Sequence, residues 1–367
     1  MKNCVINKTI EPTAVMCFSS GAGGMEMSAV RLASVFSTVS DVTFVCKQGS
    51  FAEKLYKESN YNFTCETVRF ISRTFSPVML VRVRSILKTH RIKNVIFLGA
   101  SELKTLYFAF LGYDLNVTVW HGTTKSSPKR DFFHRLVYSC VNHHAAISGH
   151  LLRNMKTIVP ESRGTDYRMI RPSLNVLADD TGVAKSDRPD CINITHVARI
   201  ADGKGQVDAV LSCRGLYEKG ICFRLTIIGE NDGNTYAREL EKTIENVPYK
   251  EFVSLTGFRE DIPEFLAKTD IFLFPSLGEG MPAAFIEALH YDVVCIAYDN
   301  TVFPEFSEMG FYIHRVKNDN TEALTEKLLD VALHLDDEKV KSKPNVDLAR
   351  KYFQVERELS EWIEILE

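Results

Sequence analysis

Two glutamates, Glu279 and Glu287, stand with seven residues between them in "FPSLGEGMPAAFIEAL" (274–289), one in a glycine-flanked loop and one in an apolar stretch. Pro282 suits the first turn of a helix, where its missing N–H costs no hydrogen bond. Glu279 therefore falls just before a helix and Glu287 inside it. Helix N-termini attract anions and present free N–H groups. On one reading Glu279 merely complements that dipole and Glu287 faces solvent. On the other, a carboxylate among Ala283, Ala284, Phe285 and Ile286 needs partners, and the paired hydroxyls of a sugar supply them.

Three further stretches hold residue types that do chemistry. In "HVARIADGKGQVDAV" (196–210) Arg199 and Lys204 bracket a glycine turn between a strand and a helix. Two cations beside a helix N-terminus suit a diphosphate, although such a pair also serves as solvated surface charge. "SGAGGMEMS" (20–28) is a strand-to-helix turn of the anion-cradling sort, and its glycine spacing matches neither the dinucleotide fingerprint nor a Walker loop. In "VWHGTTKSSPKRDFFHR" (119–135) His121 ends a strand ahead of Gly122, where a cleft residue or a structural histidine both fit. Lys125, Lys129, Arg130 and Arg135 then interleave with Phe132 and Phe133. Residues 68–93 add seven cations and no acid among Phe70, Phe75, Leu80 and Ile86. A basic, partly apolar surface fits an anionic membrane interface; the competing reading puts the aromatics in the core and the cations in water.

The elements that must position these groups alternate. Short apolar strands are expected at 13–19, 41–47, 94–100, 116–122 and 143–148, and such strands ending in Gly, Ser or His and feeding helices mark a doubly wound parallel sheet. Residues 177–190 ("LADDTGVAKSDRPD") are polar and without period, which reads as a linker. The pattern then restarts with strands at 191–200, 223–230, 252–258, 270–276 and 293–299. Two Rossmann-like halves are expected, 1–176 and 191–352, facing a cleft with ligands at the carboxyl ends of the strands. The tail "YFQVERELSEWIEILE" is amphipathic, with Phe353, Leu359, Trp362, Ile363 and Leu366 on one face.

Composition narrows the classes. With 367 residues, 45% hydrophobic and 25% charged, the chain suits a globular protein of two α/β domains. It contains no apolar run of the roughly 18–20 residues that a membrane span needs. The N-terminus lacks the layout of a signal peptide. Nine scattered cysteines without C-x-x-C spacing point to reduced thiols in a cytoplasm, against a disulfide framework or structural zinc. The net charge of −3 hides an asymmetry. Residues 1–172 carry 23 Lys and Arg against 11 Asp and Glu, a net of +12, and the remainder carries a net of −15. Nucleic acid, an anionic membrane face or a phosphorylated acceptor would each answer that charge, as would packing of one half on the other.

Taken in order, the glycine loop, the strand-end histidine, "R-x4-K-G", "IIGE" and "GFREDIPEFLAKTDIFLFPSLGEGMPAAFIEAL" resemble the retaining GT-B glycosyltransferases of family 4 (glycosyl transferases group 1), similar to bacterial lipopolysaccharide and surface-glycan enzymes. The resemblance covers most of the chain and is strongest over 191–299. It implies an α/β GT-B fold of two Rossmann-like domains, with the last helix (353–367) crossing back to the first. It implies that Glu287 holds the ribose hydroxyls of a nucleotide sugar. Glu279, with the backbone of Gly280, Met281, Pro282 and Ala283, would hold the donor sugar. Arg199 and Lys204 would neutralise the diphosphate, and Gly257, Phe258 and Arg259 would border the base. His121 would lie near the donor sugar, and Gly23 and Gly24, completed by Glu26, near the diphosphate and the acceptor. The chain departs from the family pattern after the motif helix, where Asp292 and Val294 replace its Gly and Pro. The later glycine-rich loop reads "DNTVFPE" (299–305), without glycine, leaving the N–H groups of Thr301 and Val302 for phosphate.

The expected function is metal-independent, retaining transfer of a sugar from a nucleotide diphosphate, UDP favoured, to lipopolysaccharide core, O-antigen or a similar glycan or glycolipid. No cofactor and no nucleic-acid partner are expected, and no Asp-x-Asp is present to hold a metal. The expected location is the cytoplasm, peripheral to the inner face of its membrane through the basic first domain. The alternatives are a nucleotide-sugar epimerase or small-molecule transferase of the same fold, and a non-catalytic sugar-binding scaffold.

Overall fold

A computed structural model describes residues 10–21, 23–71, 75–99, 101–160, 164–174 and 191–367; the linker expected at 177–190 lies outside them. The chain divides into two units, Met1–Ser173 with Val355–Glu367, and Leu174–Gln354.

In the first unit, strands β1 (Ile10–Cys17), β2 (Ser40–Lys47), β3 (Thr64–Val68), β4 (Asn94–Leu98), β5 (Asn116–His121), β6 (His143–Ala146) and β7 (Asp166–Met169) form one parallel sheet. Its order is β3-β2-β1-β4-β5-β6-β7. Successive side chains of a strand point to opposite faces, so β1 feeds two cores. Ala14 and Met16 pack with Val83, Ile86 and Leu106 on one side. Val15 and Cys17 pack with Ala29, Ala33 and Phe36 on the other. Helix starts follow local chemistry: the Ser76 hydroxyl accepts from the Met79 N–H and Pro77 opens Pro77–Thr89, while Asp131 caps Phe132–Tyr138 through the His134 N–H.

The last helix, Val355–Leu366, belongs to this first unit. Trp362 is fully buried between Phe36 and Trp120, its ring centroid 5.9 and 5.6 Å from theirs. The buried Glu358 carboxylate accepts from Arg31 at 2.6 and 2.9 Å, from the Ser173 N–H at 2.8 Å and from the Ser173 hydroxyl at 2.6 Å. Phe353, placed on the same apolar face by the sequence, instead packs with Phe306 and Phe311 in the second unit. The chain breaks helix after Tyr352 and restarts at Val355, so the two residues face different cores.

The second unit repeats the plan. Strands β8 (Ile192–Val197), β9 (Phe223–Ile228), β10 (Val253–Leu255), β11 (Ile271–Phe274), β12 (Val294–Asp299) and β13 (His314–Lys317) form a parallel sheet ordered β10-β9-β8-β11-β12-β13. Ile271 and Leu273 face one core and Phe272 and Phe274 the other. Cys191 and Cys222, at the heads of the neighbouring strands β8 and β9, are joined by a disulfide. This corrects the expectation of reduced thiols throughout. A separation of 31 residues signals nothing by itself; the β8–β9 register, Ile192 against Phe223, brings the two together.

Candidate functional site

In the second unit β8 has β9 on one side and β11 on the other. The connections leaving β8 and β11 therefore diverge, and that switch point is where an open α/β sheet has room for a ligand. The loop after β8 carries Arg199 to Gly205, and the loop after β11 carries Ser276 to Met281. The two are stitched together. The Leu277 N–H donates to the Gly203 carbonyl at 2.8 Å, and the Lys204 ammonium donates to Glu279 Oε1 at 2.7 Å. The Ser276 hydroxyl lies 2.8 Å from the same carboxylate oxygen and 3.1 Å from the Gly203 carbonyl. Gly205 makes this approach possible. Its φ is +76°, and a Cβ there would lie 2.0 Å from the Pro275 carbonyl oxygen.

The loop after β12 completes the cluster. Thr301 has φ +40°, a left-handed conformation that disfavours a β-branched residue. Its hydroxyl accepts from the Glu279 N–H at 3.0 Å and donates to Asn300 Oδ1 at 2.8 Å. The Asn300 amide donates to the Ser276 carbonyl at 2.8 Å and to Asn318 Oδ1 at 2.7 Å. The glycine-free loop thus takes a glycine-like turn with threonine and uses the threonine side chain to hold Glu279. Ser276, Gly203 and Asn300 escape sequence reading because their roles depend on loops from three different strands meeting. The only local hint is Asn300 beside Thr301, a pair that favours turns.

Glu287 lies in the helix Ala283–Leu289, half-buried, its carboxylate without a hydrogen-bond partner among the described residues. Burial without a compensating cation pushes its carboxyl up to about 7. Gly280, Met281 and Pro282 form the turn into that helix, Pro282 being its N-cap. Arg199 is exposed. Gly257, with φ +73°, gives its carbonyl to the Gly229 N–H at 2.9 Å after β10. Phe258 is exposed, and Arg259 is tied to Asp261 and lies over the Phe265 ring at 5.4 Å. Lys204, Glu279, Pro282 and Thr301 are therefore brought together, while Gly257–Arg259 stands beyond β9 at the sheet's edge.

In the first unit Gly23 caps the helix Gly24–Phe36 without a side chain of its own. The buried Glu26 carboxylate folds back over the turn, one oxygen 3.6 Å from where a Gly23 Cβ would stand and the other 3.3 Å from that of Gly21. His121 ends β5 as a buried residue, its Nε2 3.0 Å from His144 Nδ1. His144 stacks on Tyr167. Burial holds both imidazoles below their ordinary range, helped at His121 by His144 and Lys125 and at His144 by Lys125 and His143, with His144 at about 3. Neither is a cation at neutral pH.

Residues 184–343 match the sequence model of a family described as glycosyl transferases group 1. That stretch belongs to the group 1 family. That stretch holds the second-unit site residues described above, from Arg199 to Asn318. Amylovoran biosynthesis glycosyltransferase AmsK of Erwinia amylovora is 34% identical over 125 residues, 32% of this chain; the match spans only 30% of that relative's length. A glycosyltransferase from Rickettsia africae superposes with a TM-score of 0.81 over 98% of both chains at 16% identity. Anabaena Alr3699/HepE, solved in complex with UDP and glucose, does so with a TM-score of 0.76 over 97% of this chain and 99% of its own at 15% identity. At such identities the likeness is one of fold, and the fold is that of the GT-B glycosyltransferases.

Proposed function

We propose that this chain is a hexosyltransferase-type glycosyltransferase of surface-polysaccharide synthesis. It takes a sugar from a nucleotide diphosphate, UDP in preference to GDP, and places it with retention on a glycan or glycolipid acceptor such as lipopolysaccharide core or O-antigen. The observation that carries this reading is the Lys204–Glu279–Thr301 cluster at the switch point, with the partnerless carboxyl of Glu287 in the following helix. The UDP of the Anabaena neighbour and the amylovoran biosynthesis of the Erwinia relative support the donor and the acceptor class.

The roles follow from what each group lacks. Glu287 accepts from a vicinal diol, such as that of the donor ribose, which offers the hydrogen bonds its carboxylate does not find in the protein. Lys204 is neutralised by Glu279 in the free chain. A diphosphate draws that ammonium toward itself and frees a Glu279 oxygen for a donor-sugar hydroxyl. Arg199, exposed and without a carboxylate partner among the described residues, adds the second cation. Glycosyl transfer builds positive charge on the anomeric carbon and negative charge on the leaving diphosphate. Preorganised cations at the latter are the strongest lever available, and they do what a metal would otherwise do. The C1–O bond to phosphate breaks as the acceptor oxygen bonds C1 on the same face. The acceptor proton passes to the departing phosphate oxygen, so no protein nucleophile is needed.

Titration calorimetry with UDP and GDP tests the reading. UDP is expected to bind more tightly, and a panel of UDP-sugars to show slow release of UDP for one sugar. Absence of binding by either nucleotide overturns it.

A further inference from the structure

The geometry points to a docking surface for an anionic lipid bilayer on the first unit, formed by the helices Pro77–Thr89, Leu103–Phe110 and Phe132–Tyr138. The first helix buries Met79, Val83, Ile86 and Leu87 and turns a second apolar stripe outward. Val78 and Val81 are 63% and 66% exposed and lead along that stripe to Ser85 and Lys88. Ile71 and Phe75, just before the helix, are exposed too. The Phe132–Tyr138 helix does the same: Phe132 is 84% exposed, with Phe133 and Leu136 beside it.

These two stripes belong to one surface. The Leu103–Phe110 helix packs against both of the others. Phe75 meets Phe108 edge to face at 6.1 Å, and the Lys104 ammonium lies over the Phe133 ring at 5.6 Å. Arg84 donates to the Leu111 carbonyl at 2.8 Å, fixing the end of the middle helix against the first.

The charge on this surface selects the occupant. Lys88, Lys104, Arg130 and Arg135 have no carboxylate partner among the described residues. The nearby acids are spent: Glu66 takes Arg82 and His90, Asp131 caps its helix and holds His134, and Glu102 is buried. Exposed apolar side chains interleaved with unpaired cations match the interface of an anionic bilayer, where rings and aliphatic groups enter the headgroup boundary and ammonium groups meet phosphate. Of the aromatics in the basic segments, Phe70 is core, whereas Phe75, Phe132 and Phe133 are surface. No helix among the described residues is long and apolar enough to cross a membrane.

This inference goes beyond the proposed reaction, and its test reads partition rather than turnover, so either can fail alone. The full chain is sedimented with phosphatidylglycerol–phosphatidylethanolamine vesicles and with phosphatidylcholine vesicles. Binding is expected to the first and not the second, and to fall in 1 M NaCl as screening shortens to about 3 Å. Lys88→Gln and Arg135→Gln should each weaken partition about fivefold. Phe132→Ser with Phe133→Ser should weaken it about tenfold by removing two inserting rings. Leu333→Ser, exposed on the second unit, should change nothing. Circular dichroism melts establish that each variant is folded. Equal binding to both vesicle types, or full binding by the double phenylalanine variant, overturns the proposal. So does a dimer in solution trapped by cross-linking the Phe132→Cys variant, which would make a second copy the occupant.

Discussion

At pH 8 the Glu287 carboxyl must ionise in a half-buried helix position with no cation beside it, whereas in the unfolded chain it ionises freely. Its folded value of about 7 lies above its ordinary 4.5. The group therefore contributes stability below pH 4.5 that is lost as pH rises through 7. Glu287→Gln should stabilise the protein at pH 8 by about 2 kcal/mol, a shift of this size at 1.36 kcal/mol per unit discounted for residual contact with water. Urea melts should show no such gain at pH 4. The same change should weaken UDP binding about tenfold, as expected for the loss of one charge-assisted hydrogen bond. Wild-type affinity should fall as pH drops below 7 while that of the variant stays flat. A variant less stable than wild type at pH 8 would show that the carboxylate has a partner after all. Thr301 poses the opposite exchange. Thr301→Gly relieves a left-handed β-branched residue, worth about 1–2 kcal/mol, and deletes a hydrogen bond to the Glu279 N–H worth about 1 kcal/mol. Stability should change little while kcat for donor hydrolysis drops several-fold. The spacing of Glu279 and Glu287 is legible in sequence because a short loop and one helix place both. The pairing of Lys204 with Glu279 is not, because it spans 75 residues and two loops.

Most strands visible in sequence are buried on both faces and read as continuously apolar runs, such as "IFLF" in β11 and "NVIFL" in β4, with the half-exposed β10 the exception. The edge strands β3, β7 and β13 escape that reading. Each is half-exposed and carries charge, with Glu66, Asp166 and Arg168, and Arg315 and Lys317, which protects an edge from pairing with another chain. Turn geometry is similarly half-legible. A glycine between a strand and a helix announces a turn, but only the fold brings Gly205 against the Pro275 carbonyl. Gly205→Ala adds a methyl where 2.0 Å is free and φ is +76°. It should cost about 3 kcal/mol, left-handed strain and displacement of the β11 end together. Calorimetry should find a lowered transition. Because the displaced segment leads into Ser276 and Glu279, UDP affinity of the folded fraction should fall as well. Unchanged stability would mean that the β8 and β11 loops separate without cost.

At the scale of the chain, the charge division was visible from composition, whereas the disulfide required the β8–β9 register. The return of the last helix to the first unit was implied by the family resemblance, but amphipathicity alone could not separate Phe353 from Trp362. The contacts of that helix yield a test of how the molecule is divided. Trp362 is buried against Phe36 and Trp120, and Glu358 meets Arg31 and Ser173; all of these belong to the first unit. Trp362→Ala leaves a large cavity there, a loss of about 3–5 kcal/mol. Glu358→Ala strands the Arg31 guanidinium beside a buried, emptied site, about 3 kcal/mol. Either substitution should lower the calorimetric transition of the first unit by about 10 °C, at roughly 2–4 °C per kcal/mol for a domain of this size. The transition of the second unit should stay in place, because its cores contain none of these residues. UDP, acting through the group 1 domain, should raise only that second transition by mass action. A single transition that moves as a whole with Trp362→Ala and with UDP alike would show that the two units melt as one.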